Sequence, residues 1–225
     1  MEIYMTIQEA IKKRHMVRQY TDKPIPANIV ELLNERITEN NKKYDLNLVL
    51  VTGNSDGVGG IAKLLLAKNL KNYFVLAGPD TPELDEKLGY CGADLILYAQ
   101  TLGLNTWWIG GMFNSKGALK HISDKNVRVN GVIAVGYGQT QGVPHKSKTA
   151  GEISEYKGEA PQWFSDGVDA LLYAPTALNK QPYVVKGEGN KVALSAGDGH
   201  FSGIDLGIGK YHFEIGAGKK NFEWV

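Results

Sequence analysis

Apolar residues along this chain change spacing several times, and the changes mark out its elements. Thr6-Ile7-Gln8-Glu9 has the form of a capping box, with Thr6 and Glu9 placed to satisfy free amides at a helix start. Ile7, Ala10, Ile11 and Arg14 follow at helical spacing, which predicts Arg14 on the apolar face and puts Arg14 and Arg18 within one helical turn. Pro24 and Pro26 separate this helix from a second, carrying Ile29, Val30, Leu32, Leu33 and Ile37. A strand is predicted over 46–52, a helix over 58–70 and a buried strand over 73–77. Thr81-Pro82-Glu83 opens a longer helix with proline at its first position; Leu88, Cys91, Leu95, Ala99 and Leu102 form its stripe and Gly103 ends it. Strands over 105–109 and 127–135 flank a short helix over 115–122.

Residues 138–161 lose this periodicity and are rich in Gly, Lys, Ser, Gln and Glu, as expected of a connector between two parts, 1–150 and 151–225. Beyond it come a helix over 164–173, a proline-bounded loop, and two strands joined at Gly187-Glu188-Gly189-Asn190. A helix over 202–215 and a terminal strand over 222–225 complete the pattern. Helices and strands interleave while the last part holds a hairpin, so the expected class is α+β, a mixed, mainly antiparallel sheet packed between helices. A faint repeat joins the parts: Ile37 to Leu48 and Leu172 to Tyr183 span the same interval between a helix end and a strand start. Gly92-Ala93-Asp94-Leu95 and Gly203-Ile204-Asp205-Leu206 each open a late helix. Together they describe two fused halves, a pseudo-dimer.

Composition narrows the class. With 225 residues, 43% hydrophobic and 22% charged, the chain can bury a sizeable core. A net charge of +1 gives no sign of nucleic acid or anionic membrane as partner. The longest apolar runs, such as Ile61 to Ala67, are too short to span a bilayer, and Met1-Glu2-Ile3-Tyr4 lacks the basic and apolar regions of a signal peptide. One cysteine, Cys91, excludes an internal disulfide framework, so a cytoplasmic protein is expected.

Most candidate motifs carry little. Gly57, Gly59, Gly60 and Lys63 lack the spacing of a P-loop; His15, His121, His145, His200 and His212 have no metal-ligand spacing. Cys91 lies on an apolar stripe, and no G-x-S-x-G elbow is present. Trp107 and Trp108 point to opposite faces of one strand. Two segments carry more. Arg14-His15-Met16-Val17-Arg18 offers two guanidinium forks that suit a phosphate dianion, though the same pair also reads as a solvated basic helix end. In Ala174-Pro175-Thr176-Ala177-Leu178-Asn179-Lys180-Gln181-Pro182-Tyr183, Pro175 stops a helix, and Thr176, Asn179 and Gln181 present donors and acceptors from a loop between two prolines. Such a loop suits a planar polar ligand; by itself it is equally an ordinary helix-to-strand connection.

This decapeptide is similar to the APSxxNxQPW signature of the FMN-dependent nitroreductase family, where it lies in the first third of the chain rather than near the C-terminus. Residues 7–26 resemble the family's opening, a helix ending in paired basic residues followed by an aromatic (Tyr20) and an Ile-Pro pair (Ile25-Pro26). Met16 replaces the family's serine there. Gly89 to Phe113 resembles the long helix and glycine-bounded strand that come next, with Asn105 in place of a glycine. The strand from Val132 runs into Gly136-Tyr137-Gly138, similar to the family's Gly-Tyr-Pro.

The resemblance implies a nitroreductase-like fold and an FMN-dependent oxidoreductase, passing hydride from NAD(P)H through flavin to a nitroaromatic, quinone or related acceptor. It assigns Arg14, His15, Met16 and Arg18 to the flavin phosphate, joined by Lys146 or Lys148, which stand where the family has a basic pair. Gly110 and Gly111 would let the backbone approach the ring. Pro175, Thr176, Ala177, Asn179 and Gln181 would hold its polar edge or ribityl chain. No side chain is nominated as a catalytic acid or base, and no metal is expected. In the family two subunits share each flavin. Here the two contributions fall in 1–150 and 151–225 of one chain, so one FMN per chain between the halves is expected. A monomeric pseudo-dimer and further homo-oligomerisation both fit, with a small-molecule acceptor as the partner. The alternative is a non-catalytic protein that stores, delivers or senses FMN.

Overall fold

The structure is a computed structural model, and it describes residues 5–225. The tetrapeptide Met1-Glu2-Ile3-Tyr4, read above for a signal peptide, lies outside the described residues. The chain folds as two compact units: Arg14–Leu84 with Leu95–Pro144, and Ile7–Lys13 with Asp85–Asp94 and His145–Val225. No helix among the described residues is long and apolar enough to cross a membrane.

The first unit is built on an antiparallel sheet of β1 (Val49–Val51), β2 (Tyr73–Gly78), β3 (Asn105–Ile109) and β4 (Arg128–Gly136), in the order β1-β2-β4-β3. Every residue of β2 is buried, so both faces of the strand are covered, as a continuous apolar run from Tyr73 to Ala77 requires. Val75 pairs with Val132, which pairs with Ile109; this row belongs to a core that also holds Val51, Val58 and Ala118. Helix α2 (Ala27–Tyr44) buries Ile29, Leu33 and Ile37 at helical spacing and ends where Asp45 turns into the left-handed region; a short helix, α4 (Ser115–Leu119), lies between β3 and β4.

The helix expected over 58–70 is present but shorter, running over 60–66, and its two ends are a correction. Val58 bridges Phe113 and the Gly59 amide donates to the Met112 carbonyl at 2.9 Å, which holds this stretch extended. A Cβ on Gly59 would collide with that carbonyl oxygen, so only glycine permits the approach. The chain is then helical over 60–66, its last five residues, Ala62–Leu66, in π geometry, and by Lys68 it is extended again, bridging Gln19. Pairing at both ends of the segment trims the helix that its spacing predicts.

The second unit carries a mixed sheet of β5 (Ser154–Tyr156), β6 (Val184–Glu188), β7 (Lys191–Ser195) and β8 (Glu223–Trp224). Its central pair β6–β7 is the predicted antiparallel hairpin; β5 and β8 flank it in parallel. The expected connector thus contains β5 and a short helix, α5 (Ala150–Ile153), started by a Thr149–Glu152 capping box. Helix α6 (Gln162–Leu171) packs Phe164 against Phe213 of α7 (Ser202–Ala217), beside Phe222 and Trp224. Helix α3 (Leu84–Thr101) starts two residues after Pro82 and contributes its residues 85–94 to this unit. There it crosses α7 so closely that a Cβ on Gly207 would run into the Glu86 carbonyl oxygen. Lys210 of α7 pairs with the Glu86 carboxylate across the same crossing. The fold is α+β, with antiparallel pairing dominant and divided between two sheets.

Candidate cofactor site

In the first unit the basic segment leaves the helix before its arginines. Helix α1 (Ile7–Lys13) ends one residue short of Arg14, and the next residues run extended. Met16 bridges Thr106 of β3 and the Val17 amide donates to the Thr106 carbonyl at 3.1 Å. The expectation of two guanidiniums on one helical turn is therefore corrected: sheet-like pairing to β3 displaces helix after Lys13. Arg14 is buried, at 6% exposure, and its Nε has no hydrogen-bond partner among the described residues. Burial brings its pKa down to about 10, because desolvation penalises the charged form. Arg18 is half-buried; its guanidinium lies 5.2 Å from the Trp107 ring centroid, and its Nε is likewise unpartnered among the described residues. His15 is half-buried beside them, while Met16 is exposed.

A buried guanidinium with an unsatisfied nitrogen is unusual, since buried charges are normally paired and hydrogen-bonded. The site is chemically suited to an anion. Gly110 and Gly111 follow β3 directly, the first half-buried and the second exposed. Asn105, at the other end of β3, braces the backbone. Its Oδ1 accepts from the Gly138 amide at 3.0 Å and its Nδ2 donates to Gln141 Oε1 at 3.0 Å. The same unit gathers Asp56, Tyr73 and His121, which spacing did not connect. Tyr73 donates its hydroxyl hydrogen to Asp56 Oδ1 at 2.6 Å, and His121 Nε2 lies 3.0 Å from the same oxygen. Burial and the Asp56 carboxylate push the Tyr73 pKa up. Burial also works to raise Asp56, but hydrogen bonds from Tyr73 and His121 hold its carboxyl below the ordinary value.

In the second unit the proline-bounded loop is cross-bonded throughout. Pro175 follows the end of α6, and Ala177–Asn179 forms a 3-10 turn in which Leu178 and Asn179 have φ of 54° and 55°. Gln181 also has positive φ, 44°, in a region non-glycine residues seldom occupy. The surroundings hold this conformation. The Gln181 amide donates to Thr176 Oγ1 at 2.9 Å; its side chain accepts from the Lys148 amide at 2.7 Å and donates to the Leu172 carbonyl at 2.7 Å. Lys148 Nζ donates to the Gln181 carbonyl at 2.8 Å, and Asn179 Nδ2 to the Lys146 carbonyl at 2.9 Å. The structure thus joins Lys146 to Asn179 and Lys148 to Gln181, which in turn bonds Thr176; Lys146 takes part through its backbone carbonyl and Lys148 through both its amide and its ammonium. Gln181 is buried and Lys148 is engaged, whereas no hydrogen bond of the Lys146 ammonium is seen among the described residues.

One residue of this arrangement escaped sequence reasoning. Asp205, buried in the first turn of α7, accepts from the Ala177 amide at 3.3 Å, so it holds the start of the 3-10 turn. Burial pushes its pKa from 3.8 up to about 6, against the opposing pull of the Ala177 N–H. The available signal was the tetrapeptide match at 92–95 and 203–206. Asp94, its counterpart, is also buried and accepts from the Tyr211 hydroxyl at 2.6 Å.

Two sheets of this kind, with a buried arginine whose Nε has no partner among the described residues, define an α+β protein with a candidate anionic-cofactor site. The sequence model of the family described as "Putative TM nitroreductase" matches residues 6–217, and the chain belongs to that family. Among solved structures, a "putative nitroreductase" of Thermotoga maritima aligns with TM-score 0.67 at 19% identity, covering 98% of this chain and 87% of that one. A nitroreductase family protein of Streptococcus pneumoniae aligns with TM-score 0.53 at 18% identity, over 67% of this chain and 99% of its own. A "putative nitroreductase" of Desulfovibrio desulfuricans in complex with FMN aligns with TM-score 0.50 at 14% identity, over 66% and 95%. At these identities the likeness establishes the fold. No curated protein matches the sequence.

Proposed function

We propose that this protein is an FMN-dependent oxidoreductase that takes hydride from NAD(P)H and delivers it to a small electron acceptor. The proposal rests on Arg14, a buried guanidinium whose Nε is unpartnered among the described residues. A flavin phosphate supplies the missing counter-charge, and charge-assisted hydrogen bonds from Arg14 and Arg18 to it would be short and strong. His15 and Met16 lie between the two arginines and would border that phosphate. Gly110 and Gly111 offer backbone without side chains where β3 ends, which suits approach of a flat ring.

In the second unit, Pro175, Thr176, Ala177, Asn179 and Gln181 are assigned to the same cofactor on the strength of the family signature. Their cross-bonding supports the assignment in one respect: a loop held rigid by Asp205, Lys148 and Gln181 contributes contacts without losing conformational entropy on binding. Lys146, whose ammonium has no hydrogen bond among the described residues, is the better of the two lysines for a phosphate contact. Bound FMN would supply the two-electron redox chemistry; the chain would hold it, orient it and stabilise negative charge on it. The shift of the signature to the C-terminal part is what a fused pseudo-dimer with one flavin per chain would show.

Titration of the purified protein with FMN, followed by visible absorption, tests this. Saturation near one FMN per chain, weakened in Arg14→Ala, and bleaching by NADH or NADPH without oxygen are expected. Binding without bleaching would leave an FMN carrier or sensor; no binding would refute the oxidoreductase reading.

A further inference from the structure

Asp56, Tyr73 and His121 form a cluster that the cofactor assignment leaves unused, and its hydrogen bonds lead to the segment that follows Gly110-Gly111. Tyr73, the first residue of β2, is fully buried in the apolar core. Phenylalanine would fill the same space, so what tyrosine adds is the two bonds of its hydroxyl. It donates to Asp56 Oδ1 at 2.6 Å and accepts from the Gly57 amide at 3.1 Å. His121 Nε2 lies 3.0 and 3.1 Å from the two Asp56 carboxylate oxygens. A carboxylate only accepts, so the imidazole carries a hydrogen on Nε2 and is the second donor that holds Asp56.

The backbone beside Asp56 is laced to residues 112–114. The Gly59 amide donates to the Met112 carbonyl at 2.9 Å, Val58 bridges Phe113, and the Asn114 amide donates to the Gly57 carbonyl at 2.8 Å. Asn114 Nδ2 donates to the Asp56 carbonyl at 2.9 Å, while its Oδ1 accepts from the Gly117 amide and caps α4. The approach is close: a Cβ on Gly57 would lie 2.5 Å from the Tyr73 ring, and one on Gly117 would lie 2.1 Å from the Asp56 carbonyl oxygen. Met112 follows Gly111 directly. Each residue between the glycine pair and α4 is therefore bonded to a strip of chain that Tyr73 and His121 hold through Asp56.

Backbone fixed in advance meets a ligand without a further ordering cost, and a group that locks a contact segment acts on the ligand through it. Resting on the flavoprotein reading, we infer that Asp56, Tyr73 and His121 are positioning residues, which fix the Gly110-Gly111 backbone for the flavin ring by way of residues 112–114.

Three variants test this. Tyr73→Phe removes the hydroxyl and keeps the ring; His121→Leu removes the second donor to Asp56, and His121→Gln supplies an amide donor in its place. Hydrogen exchange of the FMN-free protein is read first. In Tyr73→Phe and His121→Leu the Gly59 and Asn114 amides should exchange about tenfold faster, with those of β4 unchanged. In the same two variants the FMN dissociation constant should rise about tenfold, and the flavin's midpoint potential and visible circular dichroism should shift. His121→Gln should return all of these to the wild-type values. Unchanged exchange at Gly59 and Asn114 would overturn the inference. So would faster exchange there with affinity and potential unaltered, since the cluster would then hold a segment to which the flavin is indifferent. Acceleration shared equally with β4, without rescue by His121→Gln, would overturn it as well and make the cluster a support of the core alone. Failure of wild type to bind FMN would refute the flavoprotein reading instead, and the exchange data would still decide whether the three residues hold this segment.

Discussion

The two segments assigned to the cofactor are built in opposite ways. Around Arg14 the first unit buries a charge and leaves its Nε without a partner among the described residues; around Gln181 the second unit matches nearly every polar group to another. The first arrangement costs stability until an anion arrives: a buried guanidinium brought down to about 10 has lost something on the order of 3 kcal/mol of preference for its charged form. The second contributes stability and is finished before any ligand binds. On the proposed reading a receptive segment and a rehearsed segment would divide the work of binding, one supplying electrostatic drive and the other pre-organisation.

Disabling the receptive segment should have the largest effect. In Arg14→Ala/Arg18→Ala the FMN dissociation constant should rise by about a thousandfold, as expected for two charge-assisted contacts, measured by fluorescence titration of the flavin. In the rehearsed segment, Gln181→Ala removes the acceptor of the Lys148 amide and a donor to Leu172. It should cost about 2 kcal/mol of unfolding free energy, read from urea denaturation, and should relax the backbone of Leu178 and Asn179.

Asp205 probes the rehearsed segment through pH. Its folded-state carboxyl holds its proton more tightly than in the unfolded chain, so its contribution to stability is greatest below about pH 4 and falls away as pH rises to about 6. Tyr183, whose hydroxyl donates to the Asp205 backbone carbonyl, is the titratable neighbour, and it stays protonated across that range because burial raises its pKa. Asp205→Asn keeps an acceptor for the Ala177 amide without the charge. Above pH 6 it should be more stable than wild type by about 1–2 kcal/mol after allowance for solvent screening, with the difference vanishing below about pH 4. A constant difference across pH would refute this role of Asp205. The mildest change is expected from Lys146→Ala: FMN affinity lower by about threefold at low salt, and indistinguishable from wild type at high salt.

Legibility in the sequence followed the reach of the interactions. The strand at 105–109, the hairpin at 184–195 and the helix from Ser202 were plain because local spacing and a Gly-Asn turn specify them. The helix over 58–70 is legible but its bounds are not, because the partners that pair its ends, Met112 and Arg18, lie far along the chain. Arg14 was placed on a buried face correctly, for a helix that ends too soon to carry it there. The Nε of Arg14 without a partner among the described residues, and the link from Asp205 to Ala177, are properties of tertiary packing that spacing does not encode.

Arg14→Met separates a ligand-binding charge from a structural one, with FMN affinity and the melting temperature of the FMN-free protein read on the same preparation. If Arg14 waits for the flavin phosphate, affinity falls on the order of 100-fold. The FMN-free protein then melts at the same temperature or a few degrees higher, since a buried charge whose Nε has no partner among the described residues is replaced by an apolar chain of similar length. A lower melting temperature with FMN binding unchanged would reverse the assignment, making Arg14 a structural residue with no part in holding a cofactor.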